Sequence, residues 1–374
     1  MGVLGYGSLA PHVMLGDLLK RHPHGQANAA LAFNLALAVS SLTDAPLTAG
    51  RLSTCSKALR TAIGKALHEL QRERLYVIGG LDNSFAPLAL VERFDPLEGT
   101  WETLPPISTA RHGACAAAFG GYLYVIGGEV NGVALRDVQR FAPRSGARRW
   151  ETMPSTALGR IKAAATECQG LLYVLGGNDG FTALRSVERY DPFEGRWQSV
   201  ASMQKPRYAA SAMAREDCIL VFSGELSEEG AAASLEIYDI QANTWHLLPS
   251  LRSPLCGSVP ILKASGDEVY SFGGLGLSGQ ALTLAERASL QHLEEHAYSG
   301  SSARVPWSPL PPMLTARQQI SACNFQEGVV LVGGKGITSE AQAKVECYSE
   351  GLGWRALPPL GLPRMRCAVV AGHI

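Results

Sequence analysis

The sequence predicts an all-β fold made of six copies of one short-stranded unit packed in a ring. Three observations carry the prediction. Glycine pairs close apolar runs at Gly79-Gly80, Gly127-Gly128, Gly176-Gly177, Gly273-Gly274 and Gly333-Gly334, with a degenerate copy at Ser223-Gly224. From the first residue of one pair to the next, the steps are 48, 49, 47, 50 and 60 residues, a period that marks a repeat array. A Glu or Gln follows the second residue of each pair by 11 or 12 residues, at Glu92, Gln139, Glu188, Glu236, Glu286 and Glu346. All six tryptophans keep the same register: Trp101, Trp150, Trp197, Trp245, Trp307 and Trp354. A single small sheet cannot bury both of its faces, so the copies must pack on one another.

Residues 172–203 show the unit most clearly. Leu172–Leu175 reads as a strand, Asn178-Asp179-Gly180 as a turn, Ser186–Tyr190 as a second strand, and Glu194-Gly195 as the turn into a third strand holding Trp197. Asp95-Pro96 and Asp191-Pro192 are turn signals after the corresponding strands. The repeat carboxylates read as scaffold hydrogen-bonding groups.

Taken in order, residues 1–70 do not repeat and are expected to form a helical or disordered leader. The apolar run Ala27–Leu42 is broken by Asn34 and is too short to span a membrane. Lys20 and Arg21 precede it, so a targeting leader is the alternative. Residues 54–72 read as an amphipathic helix, with Leu59, Ile63, Leu67 and Leu70 on one face. That helix stands where the first unit lacks its opening strand. The missing strand is expected at the other end: Leu362–Val370 is similar to Thr109–Ala117, yet no glycine pair follows it. Pairing of residues 366–372 with Leu75–Ile78 would close the ring and leave no open edge. The fifth copy carries an insertion at about residues 288–304, expected to loop out, and the fourth is the least regular.

The glycine pair, the Val-Glu-Arg-Tyr-Asp type strand and the spaced tryptophan together resemble kelch repeats. The resemblance implies a six-bladed kelch β-propeller over residues 71–374, closed by a C-terminal strand and preceded by the leader. It implies a protein–protein interaction module and, in many relatives, substrate recognition for a cullin-type ubiquitin ligase. Residues 1–70 are shorter than a BTB domain with its helical partner and show no F-box pattern. The alternative is a kelch-propeller enzyme, an oxidase or a sugar or small-molecule isomerase.

Charge narrows the partners. The chain has 33 basic and 33 acidic side chains, so no net field draws it to nucleic acid or to a membrane surface. Its eight cysteines form no C-x-x-C pair and it has no glycosylation sequon, which fits a reducing compartment. A cytoplasmic location is expected, with organelle targeting as the alternative. No cofactor and no metal are expected. His292-Leu293-Glu294-Glu295-His296 matches an inverted zinc-peptidase motif but sits in the insertion, where a solvated loop is the expectation. Gly333-Gly334-Lys335-Gly336 lacks the spacing of a phosphate loop and reads as a repeat turn.

One arginine stands at every unit boundary: Arg111, Arg160, Arg207, Arg252, Arg317 and Arg364. The resemblance implies that these six line one end of the central channel and grip acidic peptide segments, a task suited to the planar guanidinium fork. The turns after the glycine pairs would add Asn83, Asn131, Asn178 and Asp179. The residues leave a second reading open, in which each arginine satisfies carbonyls of the adjoining blade.

Overall fold

Each blade is built on a short apolar strand with neighbours on both faces. In a strand, successive side chains point to opposite sides. Leu75 and Val77 pack with Phe325, Val330 and Val332 of the preceding blade, while Tyr76 and Ile78 pack with Leu123, Val125 and Phe141 of the following one. This double burial explains why Leu75–Ile78, Leu123–Ile126 and Leu172–Leu175 are continuous apolar runs rather than alternating ones.

The computed structural model describes residues 72–146, 148–226, 230–231, 234–248, 257–276, 278–290, 307–338 and 340–374. Among them lie six four-stranded antiparallel sheets. In the first, the order from inside to outside is Ala368–Gly372, Arg74–Ile78, Val91–Asp95 and Thr100–Leu104. The others repeat that order without a permutation, as in Ala164–Cys168, Leu171–Leu175, Val187–Asp191 and Arg196–Val200 of the third blade. One apolar cluster fills each of the six gaps between adjacent blades.

The ring closes as the sequence predicts. Arg74 pairs with Gly372, Tyr76 with Val370 and Ile78 with Ala368, and the Tyr76 hydroxyl donates to the Ile374 carbonyl at 2.9 Å. Among the described residues, the outer strand of the fifth blade is the shortest, Ser308–Pro309. The expected leader, the expected helix up to residue 71, the body of the insertion and its His292–His296 motif lie outside the described residues. No helix among the described residues is long and apolar enough to cross a membrane.

The tryptophans differ more than their register suggests. Trp150 and Trp245 are buried, whereas Trp101, Trp197 and Trp354 are only half-buried. What the five share is a latch. Each indole Nε1 donates to a backbone carbonyl of the preceding blade: Pro358, Pro105, Pro154, Ala201 and Pro311, at 2.7–2.8 Å. Trp245 also stacks on Tyr238 with ring centroids 4.9 Å apart. Trp245→Ala is therefore expected to cost about 3–5 kcal/mol in chemical denaturation. Trp197→Ala should cost clearly less, and equal losses would contradict the difference in burial.

The cysteine in the second blade's inner strand behaves as an apolar residue. Burial pushes the Cys115 thiol up to about 12, so it stays protonated and packs with Ile126 and Val138.

Candidate functional site at the channel mouth

The glycine pairs exist because another backbone docks on them. A Cβ on Gly127 would lie 2.4 Å from the carbonyl oxygen of Arg160, which opens the next blade, and Gly127 sits at φ 63°. Gly128 N–H donates to that same carbonyl at 2.8 Å. Ser223, the exception, holds φ 62° despite its side chain.

The boundary arginines complete this joint from the side. Arg160 Nη1 donates to the Gly176 and Ser186 carbonyls at 2.6 and 3.0 Å, and Nη2 meets Glu188 Oε1 at 2.8 Å. Arg207 repeats the pattern on Ser223, Ser234 and Glu236, and Arg317 on Gly333, Lys344 and Glu346. Arg364 closes the ring on Gly79, Leu90 and Glu92. The second carboxylate oxygen reaches back to the preceding blade, as where Ala157 N–H donates to Glu188 Oε2 at 2.7 Å.

In the second blade the repeat residue is Gln139, and the charge moves two positions along the same strand face. Asp137 takes Arg111 bidentately, both bonds 2.7 Å. Burial alone would raise the Asp137 carboxyl, but its bonds from Arg111 and Gln139 hold it below the ordinary value.

These placements correct the expected binding face. Arg111, Arg160, Arg207, Arg317 and Arg364 are at most 1% exposed, and their guanidinium groups are occupied by carbonyls and carboxylates inside the fold. They are scaffold, for the reason the second reading gave, and a partner cannot reach them. Arg252 lies outside the described residues.

The turn residues mostly hold their own turns. Asp179 Oδ1 accepts from Phe181 and Thr182 N–H, and Asn178 Oδ1 from Gly180 N–H. Asn83 Oδ1 accepts from Ala341 N–H at 2.7 Å, tying the first blade's turn to the sixth's. Asn131, exposed with φ 50°, forms a tight hairpin with Gly132.

What faces the channel is the residue two positions after Arg364, Arg111, Arg160, Arg207 and Arg317, with Gly257 in the equivalent place of the fifth blade. Arg366, Gly113, Lys162, Ala209, Gly257 and Gln319, one from each blade, all hold φ between 51° and 73°. Backbone bonds join them in two runs: Gly113 N–H donates to Arg366 O, Lys162 N–H to Gly113 O and Ala209 N–H to Lys162 O in one, and Gln319 N–H to Gly257 O in the other. This belt surrounds the mouth of a channel of about 470 Å³. In four blades the residue just before the belt position bridges to the start of a glycine-pair turn: Met365 with Leu81, His112 with Glu129, Ile161 with Asn178 and Gln318 with Lys335. Belt and turns therefore share one end of the ring.

Charge on the belt is one-sided. Arg366 and Lys162 flank Gly113, while Ala209 and Gly257 across the ring are small and neutral. Arg366 Nε donates to Gln319 Oε1 at 3.0 Å, and Lys162 Nζ lies 5.3 Å from the Tyr208 ring centroid. His112 sits beside them, its Nε2 3.6 Å from Glu129 Oε2. Burial holds the His112 imidazole below its ordinary value. Arg366 and Lys162 push the same way, and Glu129 opposes.

A sign follows for stability. The fold favours neutral His112, so the unfolded chain binds the proton more tightly. The His112 contribution should be complete above the ordinary imidazole value of 6.5 and be lost as pH falls through the lower folded value. His112→Gln should flatten this part of the melting-temperature profile. A profile with an unchanged slope would show that His112 is not the group responsible.

None of the belt positions stands out in the sequence, because their residue types do not recur. The usable signal was the two-residue distance from the arginine, which holds in five of the six blades. Among the described residues, no group of three or more His, Cys, Asp or Glu side chains converges as a metal site.

Comparison with known proteins agrees with this architecture. The Kelch motif family matches residues 71–108, 110–156 and 160–204. Kelch-like protein 11 of Mus musculus is 24% identical over 311 residues, covering 80% of this chain and 35% of the relative. Kelch-like protein 35 of Mus musculus is 34% identical over 104 residues, covering 27% of this chain and 18% of the relative. Kelch repeat and BTB domain-containing protein 13 of Homo sapiens is 36% identical over 76 residues, 20% of this chain and 16% of the relative. The chain thus spans about a third or less of the length of these relatives. A solved structure titled "Structure of YjhT" superposes with a TM-score of 0.58 at 15% identity, covering 75% of this chain and 96% of that one, and shares the fold.

Proposed function

The chain is a kelch-repeat β-propeller protein, and from that premise we propose that it recognises a protein partner through the face bearing the belt and the glycine-pair turns. The observation that supports this reading is the one-sided belt. Lys162 and Arg366 stand at the channel mouth on backbone held by inter-blade hydrogen bonds, so their positions are set before any partner arrives. A cationic pair of this kind suits an acidic peptide segment. The residues carrying that task are thus Lys162 and Arg366 rather than the five described boundary arginines.

The test is capture of partners by the full chain and by the Lys162→Gln, Arg366→Gln double variant. Loss of partners at an unchanged melting temperature is expected. Retention of the same partners by the double variant would refute the mouth as their site. Arg111→Ala with Arg207→Ala should instead lower the melting temperature, as scaffold changes do.

A role as a substrate-recognition subunit of a cullin-type ubiquitin ligase belongs to this proposal through family resemblance alone. Co-purification of a cullin with the full chain tests it, and a captured set with no ligase component would count against it.

A further inference from the structure

The turns around the belt carry a second feature. Ile337, Phe85, Val133 and Phe181 sit at the glycine-pair turns of the sixth, first, second and third blades, which are consecutive in the ring. They are 74%, 60%, 60% and 92% exposed. Single exposed apolar residues are ordinary on any surface. Four at equivalent turns of four adjacent blades form an arc, and the arc is centred on the blades that supply Arg366, Gly113 and Lys162.

The arc is rigidly presented. The turn of Phe85 is held by Asp82 Oδ1, which accepts from Ser84 and Ala86 N–H at 2.8 and 2.9 Å. The turn of Phe181 is held in the same way by Asp179. Phe85 itself adopts φ 58°, a conformation that a bulky residue rarely occupies. The fold thus bears local strain to hold an aromatic ring largely in solvent, a pattern found where a residue serves recognition rather than packing. Lys335 Nζ lies 5.9 Å from the Phe85 ring centroid, so positive charge continues from the mouth to the arc.

We propose that the partner presents an extended segment in which one or two carboxylates are flanked by bulky apolar side chains. The carboxylates lie between Arg366 and Lys162 over Gly113, and the apolar side chains rest on Phe85, Val133, Phe181 and Ile337. The segment therefore crosses the sixth, first, second and third blades. A purely acidic segment would leave the arc in water. A purely apolar one would strip water from the two belt cations and bring them no carboxylate in exchange, which is costly. This inference rests on the face proposed above and adds the chemistry of what binds there.

The experiment uses a phage-displayed library of random dodecapeptides selected on the full chain. Enriched peptides should combine Asp or Glu with Phe, Leu, Ile or Trp on either side. A synthetic copy of the leading peptide is then titrated by fluorescence anisotropy against the full chain and three double variants. Phe85→Ser with Phe181→Ser should weaken binding by about tenfold or more at an unchanged melting temperature. Val133→Ser with Ile337→Ser should weaken it similarly. Lys162→Gln with Arg366→Gln should weaken it by a similar factor and remove its salt dependence. If both arc variants bind within about twofold of the parent while the cation variant loses binding, the arc inference falls and the mouth stands. If the cation variant also binds normally, both fall. Failure to enrich any peptide overturns recognition of a linear segment.

Discussion

Removing residues 362–374 is expected to abolish the cooperative unfolding transition and to drive the protein into aggregates. The deletion takes away Arg364, Met365 and the inner strand Ala368–Gly372 together. Arg74–Ile78 then loses five cross-strand pairs, and the Tyr76 hydroxyl loses its acceptor on Ile374. Leu75 and Val77, now fully buried, would border an open sheet edge. Glu92 would remain in a nearly closed site without its guanidinium partner. Thermal denaturation and size-exclusion chromatography of the shortened chain measure the outcome. A soluble monomer that melts with the full-length profile would show that the ring does not depend on this strand.

Glu236→Ala is expected to cost about 3–5 kcal/mol, because it leaves a buried guanidinium without its counter-ion. Arg207 and Glu236 are both inaccessible to solvent and meet at 2.5 Å. Burial already pulls the Arg207 guanidinium below its ordinary value, with Glu236 opposing. Replacing both partners with apolar residues of similar size should recover part of the loss, since the destabilising element is the unpaired charge. Arg93→Ala provides the contrast. Its partner Glu102 is largely exposed, so screening by water leaves that pair worth little. Denaturant titrations of the three variants should rank Glu236→Ala far below the other two. A near-neutral Glu236→Ala would mean that the arginine joint is not a stability element.

The fold was legible because each blade repeats its joint in fixed register. Gly127 must be glycine where the Arg160 carbonyl docks, and Glu188 must be an acceptor where Arg160 and the Ala157 N–H meet, so the sequence records both. The closing strand was legible for a related reason: Leu362–Val370 carries the same local pattern as Thr109–Ala117 while lacking a blade of its own. The site was misjudged through that same logic. Residues demanded by every joint recur, and recurrence made Arg111 and its equivalents look functional when it marked them as structural. Lys162 and Arg366 occupy one equivalent position in two blades, with Gly, Ala, Gly and Gln in the others, so no period betrays them. The move of the carboxylate from residue 139 to Asp137 was hidden for the same reason, since only the side-chain geometry shows that Asp137 and Gln139 divide one task.

The belt separates two demands that most surfaces must meet with the same atoms. Its geometry is written in main-chain amides and carbonyls, which every residue except proline supplies, and five residue types already stand in the six places with nearly one backbone conformation. A substitution there alters what the ring displays without touching how the ring is joined. Each place costs a little left-handed strain for any non-glycine occupant, but that cost is local and much the same for Lys, Gln or Arg. Such a rim can change its chemistry one position at a time, each intermediate remaining folded, and so gives a lineage of these rings a smooth route from one partner to another.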